Sequence, residues 1–571
     1  MIESYAFEYA MNGTKEYGQK AVDAMCNYVD TAVFDTTNGN AYNNWGQMEY
    51  TIGLVYDWCN DLLTDDIKVK FRDAVVKYTA AKVGYPPSNP AVTGHGTEGP
   101  VLRDLLVPAI AMYDDYPSLY LNAAGKICAE YAPVKEFLYG AGAGSLQGDH
   151  YTYYRDTWAV NTLWLMDKLG LANVFGENQQ YETYWYLYAR RGDGSTLRDG
   201  DTHQNNTVGG SYLSYARLEM YLANYYKDPY LKWEFLRQKN LEGTLSDISS
   251  NFSTDCVERL IVNDGTVQAK DPSTLPLSRY FASPKGAYIA RTGWKDGVDS
   301  PAVVAEMKVG EYWTSNHQHL DAGAFQIYYK GALATDAGYY QASFSGEGTS
   351  DYNSSHWKNY ATRTVAHNAI LIQDANETQP SGYVNDGGQR LINDRNECKS
   401  LDSLKKEFKT GSVLAHEHGP DEYTPNYTYL KGDITDAYSD KASEVLRSFM
   451  FLNLKDDEQP AAMVVFDKVT ASKAELKKSF VLNSVSAPEI NGTRTVVKDT
   501  RAFNDISRYN GRLTCDTLLP AAGNVEITAY NGMDKYAYTG SVASYATAPD
   551  NTEGGGSRTE ISPKASSETD Y

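Results

Sequence analysis

The chain is short of the residues that pair, switch or anchor. Six cysteines (Cys26, Cys59, Cys128, Cys256, Cys398, Cys515) stand far apart with no Cys-x-x-Cys. That pattern argues against a zinc knuckle or a dithiol pair and reads as buried thiols. Long apolar runs are missing. The longest, Leu105 to Tyr113, contains Pro108 and is half the length of a membrane span, so no transmembrane helix is expected. Positive charge is in deficit: 52 Lys and Arg against 73 Asp and Glu leave a net −21. Nucleic-acid binders carry basic surfaces, so that class is set aside. An acidic substrate is not, because it needs only a local basic cleft. Met1 is followed by Ile2-Glu3-Ser4-Tyr5, without the basic start and apolar stretch of a secretion leader. The expectation is a cytoplasmic chain, or one whose leader lies outside the given residues. Phenylalanine is sparse at 16, whereas tyrosine reaches 47 of 571 residues. Tyrosine combines a flat apolar face with a polar tip, which suits sugar stacking as well as a tyrosine-rich scaffold.

What is present reads as two textures. A length of 571 residues predicts about two to four domains, at roughly 150 residues each. The first 240 residues carry helical spacing. Thr64, Asp65 and Asp66 offer caps, Ile67, Phe71, Ala74, Val75 and Tyr78 recur on one face, and Gly84 with Pro86-Pro87 ends the run. Leu102–Tyr113, Asp156–Leu169 and Ser211–Tyr226 behave alike, which predicts a helical bundle or toroid with turn-rich mouths at Tyr85–Gly99 and Gly140–Asp149. From about Pro276, alternating β-branched and aromatic residues predict strands at Tyr288–Thr292, Val303–Met307, Ala324–Tyr329 and Thr364–Ile372, with a hairpin turn at Lys330-Gly331. An all-β sandwich is expected, and a smaller β unit from about Ser448.

Nine histidines make placement informative. His317 and His319 lie in Asn316-His317-Gln318-His319-Leu320-Asp321-Ala322-Gly323, followed by Asp336 and by His367 in Ala366-His367-Asn368. A His, Asp, His set from neighbouring strands suits zinc. A hydrogen-bonded His–Asp brace is the plainer alternative. His95 and Glu98 lie in a glycine-rich loop. Tyr151 and Arg155, four apart, share a helical face just after Gln147-Gly148. A cation there would favour the phenolate.

Taken together these stretches resemble the heparinase II/III-like polysaccharide lyases, and the heparinase II branch most. The segments that carry the resemblance are Asn316–Tyr329, Asp336-Ala337-Gly338-Tyr339-Tyr340, Gln147-Gly148 before Tyr151, Ala366-His367-Asn368 and Tyr429–Asp433. It implies an incomplete (α/α) toroid over 1–255, a central antiparallel β-sandwich over 256–446 and a smaller β domain over 447–571, with further sequence at both ends. It implies catalysis by Tyr151 and His317 with His95 and Glu98, and substrate contacts from Asn316, Arg155, Gln147 and Tyr340. One structural zinc ion would be held by His319, Asp336 and His367. The substrate would be an acidic polysaccharide, heparin or heparan sulfate first, with chondroitin or dermatan sulfate, hyaluronan or alginate as alternatives. A homodimer and a periplasmic or secreted bacterial location follow from the same likeness.

Elimination from a uronate must remove the C5 proton beside a charged carboxylate, so that carboxylate has to be neutralised. A protonated Glu98, His95 and the Asn316 amide are the expected donors. Tyr151, with cations from Arg155 and histidine, would be base and acid on one face of glucuronate. His317 would be the base for iduronate, from the opposite wall of the cleft. Two rivals remain: a glycoside hydrolase using Asp199 and Asp201, and a non-catalytic polysaccharide-binding protein.

Overall fold

The computed structural model describes residues 1–37, 42–139, 146–171, 173–203, 216–241, 256–340, 343–344, 348–349, 352–538, 541–542 and 556–571. Helices fill the first half and antiparallel sheets the second. The helix Asp65–Val83 forms as its sequence dictates. Thr64 accepts from the Ile67 amide, Phe71 and Val75 are fully buried, and Gly84 ends it with φ 81°. Pro100–Leu105 and Leu106–Ala111 form consecutive helices over the expected Leu102–Tyr113. The helix expected from Asp156 starts earlier, as Asp149–Lys168. The one expected from Ser211 is Ala216–Tyr225, with 211–215 outside the described residues. The stretch Tyr85–Gly99 holds one short helix, His95–Gly99. Among the cysteines, Cys59 and Cys398 are buried as expected, but Cys128 is exposed on the outer face of its helical segment.

One hydrophobic cluster runs from Ala6 through Trp45, Phe71 and Trp185 into Ile289, Val304 and Trp313. The helical half and the first sheet therefore share a core. That sheet has five strands in chain order: Ser278–Phe281, Ala287–Arg291, Val304–Lys308, Phe325–Tyr328 and Ala332–Ala334. Lys330 and Gly331, both at positive φ, make the expected hairpin turn. A second five-stranded sheet joins Ser412–Gly419, Tyr427–Asp433, Ala442–Asn453, Ala461–Ala471 and Thr569–Asp570. Its Leu430, Val445 and Phe449 pack in one cluster with Tyr288, Met307 and Phe325 of the first. Two expectations change here. Thr364–Ile372 is not one strand: Thr364–Ala366 is a tight helical turn and the strand is Ile370–Gln373. Thr364 Oγ1 donates to Leu320 O and accepts from the Gln389 amide, so local side-chain bonding displaces the ladder. The strand Ala442–Asn453 also runs across the expected boundary at 446/447, paired on both edges, so one sheet holds both sides of it.

Arg447, 1% exposed, ties that sheet to the loops above it. It forks onto Asp467 at 2.7 and 2.8 Å and donates to Gly323 O and Asn368 O. Removing one partner of a buried charge pair costs about 3–5 kcal/mol. Arg447→Ala should therefore lower stability by about that much in denaturant unfolding. A change below about 1 kcal/mol would show that the pair contributes no net stability.

A short parallel pairing then joins the halves. Thr202–His203 lies against Tyr339–Tyr340, with Thr202 opposite Tyr339 and His203 opposite Tyr340. Gly148 bridges Gly200 beside it. Both glycines have positive φ, and a Cβ on Gly148 would sit 2.5 Å from Asp201 O. Only glycine permits this contact.

Candidate active site

That junction places Tyr151, in the first turn of the helix Asp149–Lys168, against His317 from the loop after the third sheet strand. Their rings stack at 3.3 Å between centroids and 11° between planes. The Tyr151 hydroxyl donates to the Tyr340 hydroxyl at 2.7 Å. The expected opposed walls are thus corrected: the two rings are in contact, with no room for a sugar ring between them. The phenolate expectation changes too. Burial, then Tyr340 and Asp201, push the Tyr151 hydroxyl well above its ordinary range, so Tyr151 holds its proton. The side chains of Tyr153 and Tyr154 lie outside the described residues.

His317 is oriented by a residue that the sequence reading had set aside in a turn. Asp201, fully buried, accepts from His317 Nδ1 at 2.6 Å and from His319 Nε2 at 2.9 Å. Trp357 Nε1 donates to both its oxygens, at 2.9 and 3.0 Å. Burial is the largest influence and opposes its charge, but the hydrogen bonds and electrostatic pull of the two histidines together hold the carboxyl below its usual range. Burial pulls His317 down to about 4 against the pull of Asp201, so its ring is neutral at pH 7. With the proton on Nδ1, Nε2 carries the basic lone pair. Asp199 is spent on Lys285 and Lys308, at 2.6 and 2.9 Å. Neither aspartate offers the open carboxylate a glycosidase pair requires.

The Arg155 guanidinium does not serve Tyr151. It donates to Glu98 through two nitrogens and to Gln147 Oε1, and Lys135 pairs with Glu98 at 2.8 Å. Gln147 donates in turn to Thr93 O, Thr314 Oγ1 and Ser315 O. Glu98, Arg155 and Gln147 are all buried. They form a charge-paired brace beneath the loop of His317. Glu98 accepts from two cations and so has no hydrogen-bond donor to offer, which corrects the expected acid. His95 opens the helix His95–Gly99, but its side chain lies outside the described residues.

His319, Asp336 and His367 converge, their ligand atoms all within 4.8 Å of one another and all three residues buried. His319 Nδ1 and His367 Nε2 have no hydrogen-bond partner among the described residues. Since His319 donates through Nε2 to Asp201, its Nδ1 is the nitrogen left for a ligand, the usual second-shell arrangement of a metal-bound imidazole. Two nitrogens and a carboxylate fit a zinc ion.

Ser315 and Asn316 both adopt positive φ, 65° and 55°. Such strain persists only when held. Arg395 holds it, donating to Asn316 O at 2.6 Å and Gln318 O at 3.3 Å, while Ser315 Oγ donates to Arg395 O. Arg395 also stacks on Trp357. Trp357, Arg395 and Glu397 were missed by sequence reasoning, and Asp201 was weighed only as half of a glycosidase pair. Asp201 lies 116 residues from His317, and no spacing rule connects them.

A helical half, facing antiparallel sheets and a Tyr–His contact at their junction are the features to set beside known proteins. Residues 297–511 match the family model "Heparinase II/III-like, C-terminal". The model spans the group as a whole and does not separate its heparinase II branch. Among solved structures, the chain is similar to heparan sulfate lyase HepC from Pedobacter heparinus, at 12% identity and TM-score 0.57, over 100% of this chain and 73% of that one. It is also similar to a heparinase III, at 11% identity and TM-score 0.53, over 99% of this chain and 75% of that one. At these identities the likeness is one of fold. No curated protein matches the chain by sequence. No helix among the described residues is long and apolar enough to cross a membrane.

Proposed function

We propose that the enzyme cleaves uronate-containing glycosaminoglycans, heparan sulfate and heparin first, by β-elimination that leaves 4,5-unsaturated uronate ends. The observation that carries this is the Tyr151–His317 pair: a neutral imidazole that can take a proton, stacked on a tyrosine that holds one to give. His317 Nε2 removes the C5 proton. Tyr151 protonates the leaving C4 oxygen, and Tyr340 orients its hydroxyl. Asn316, next to His317 in the chain, would give the uronate carboxylate the amide N–H that it does not give to Glu397. In this reading the helical half is an incomplete (α/α) toroid and the facing sheets a β-sandwich. A polymer of this kind is met outside the cytoplasm, which places the enzyme in the periplasm or medium.

Two groups in ring contact approach a sugar from one side. In glucuronate the C5 hydrogen and C4 oxygen lie on the same side, in iduronate on opposite sides. The pair therefore favours glucuronate. The test is ultraviolet absorbance of the unsaturated product on heparin, heparan sulfate, chondroitin and dermatan sulfates, hyaluronan and alginate. The expected result is the fastest rise on glucuronate-rich heparan sulfate. Polymer retained without any rise would favour the binding-protein alternative.

His319, Asp336 and His367 would hold one zinc ion, which when bound ties the His317 loop to the segments of Asp336 and His367. Metal binding to a preformed site adds to folding stability. Chelation should lower both the melting temperature and the rate, and added zinc should restore both. Loss of rate at an unchanged melting temperature would instead assign the ion to catalysis.

A further inference from the structure

We propose that Glu397 is the catalytic residue that neutralises the substrate's uronate carboxylate, donating a hydrogen bond to it from its own carboxyl group. This rests on the lyase reading above. Loss of the C5 proton builds negative charge on a carboxylate that is already an anion, so elimination requires a donor aimed at that group. Glu98 supplies none, because Arg155 and Lys135 both bind it.

Glu397 differs on each count. It follows the turn Ile392–Arg395, whose Arg395 grips Asn316 O, so one segment fixes both the strained loop and this carboxyl. Asn316 Nδ2 donates to Glu397 Oε1 at 2.6 Å. That bond makes Oε1 an acceptor and leaves Oε2 as the oxygen that would carry the proton. Oε2 has no hydrogen-bond partner among the described residues, and Glu397 is half-buried. Gly94, which caps the helix of Glu98, leaves the space: a Cβ there would collide with the Glu397 carboxyl. No cation among the described residues pairs with Glu397. The groups that face it are Arg155, Glu98 and Lys82, with the Tyr131 and Tyr352 hydroxyls. Burial, the largest influence, raises its carboxyl above the ordinary range despite Arg155 and Asn316. The proton stays on Glu397 and is shared more strongly as charge develops. No bond to carbon is made or broken there.

The test compares wild type, Glu397→Ala and Glu397→Gln on a glucuronate polymer and on the same polymer with its carboxyls methyl-esterified. The ester carries no charge to neutralise. Glu397→Ala should lose about 100-fold in kcat/KM on the acid and about tenfold or less on the ester. Glu397→Gln, which keeps a neutral donor, should recover at least about tenfold of the Ala deficit. Melting temperatures identify a variant that fails to fold, and the Gln variant then carries the comparison. Equal deficits on acid and ester, or a Gln variant as slow as Ala, would overturn the assignment. A wild type that releases no unsaturated product from any uronate polymer would overturn the lyase reading itself.

Discussion

Tyr151→Phe should lower kcat on every substrate by about 10³-fold, the worth of a positioned general acid, with little change in KM or melting temperature. The substitution is a clean one. The phenyl ring keeps the 3.3 Å stack on His317 and removes only the hydroxyl, with its bond to Tyr340. If Tyr151 gives the proton to the leaving oxygen, its loss falls on the transition state and not on binding, so kcat drops and KM stays. Tyr340→Phe should cost far less, about tenfold, because Tyr340 receives the hydrogen bond and does not meet the leaving group. Product absorbance with both variants separates the roles. A Tyr151→Phe enzyme slowed less than tenfold, with its fold intact, would remove Tyr151 as the acid. Equal losses at the two tyrosines would make the pair, and not Tyr151, the functional unit.

What was legible in the sequence was local. His317, His319, Asp336 and His367 sit in short segments whose residue types announce them, and the structure brings the last three together and stacks the first on Tyr151. The helix Asp65–Val83 and the strands around Tyr288 and Phe325 follow from period and capping. Roles set by distant partners were not legible. Arg155 shares a helix face with Tyr151, which pointed to a tuned phenol. Its guanidinium turns instead to Glu98, which the same bond removes as an acid. Thr364-Val365-Ala366 has the β-branched look of a strand, but hydrogen bonds to Leu320 and Gln389 fold it into a turn. Asp199 and Asp201 look alike in sequence. One is neutralised by two lysines and the other gathers three N–H donors, a difference made wholly by elements more than 80 residues away.

The second large effect is expected at Asp201, and hydrogen-bond counting sets it. A carboxylate is acceptor-only and can take three N–H donors at once: His317 Nδ1, His319 Nε2 and Trp357 Nε1. Asparagine has the same shape but one acceptor oxygen, and its amide nitrogen can only donate. In Asp201→Asn the oxygen can face one histidine and the nitrogen must face the other. If the nitrogen faces His317, that ring must accept at Nδ1, its proton moves to Nε2, and it can no longer take the C5 proton. If it faces His319, the proton moves to Nδ1 and blocks the nitrogen left for zinc. Fixing a catalytic imidazole in the wrong tautomer costs about 10³–10⁴-fold in kcat, and loss of a second-shell carboxylate costs about 10–100-fold in metal affinity. Asp201→Asn should therefore show the first loss, the second, or a share of both, but cannot escape both. Turnover on a glucuronate polymer and competition with a zinc chelator measure the two separately. A variant that keeps wild-type kcat and wild-type zinc affinity would mean that Asp201 only packs the junction, and that the two histidines take their tautomers from something else.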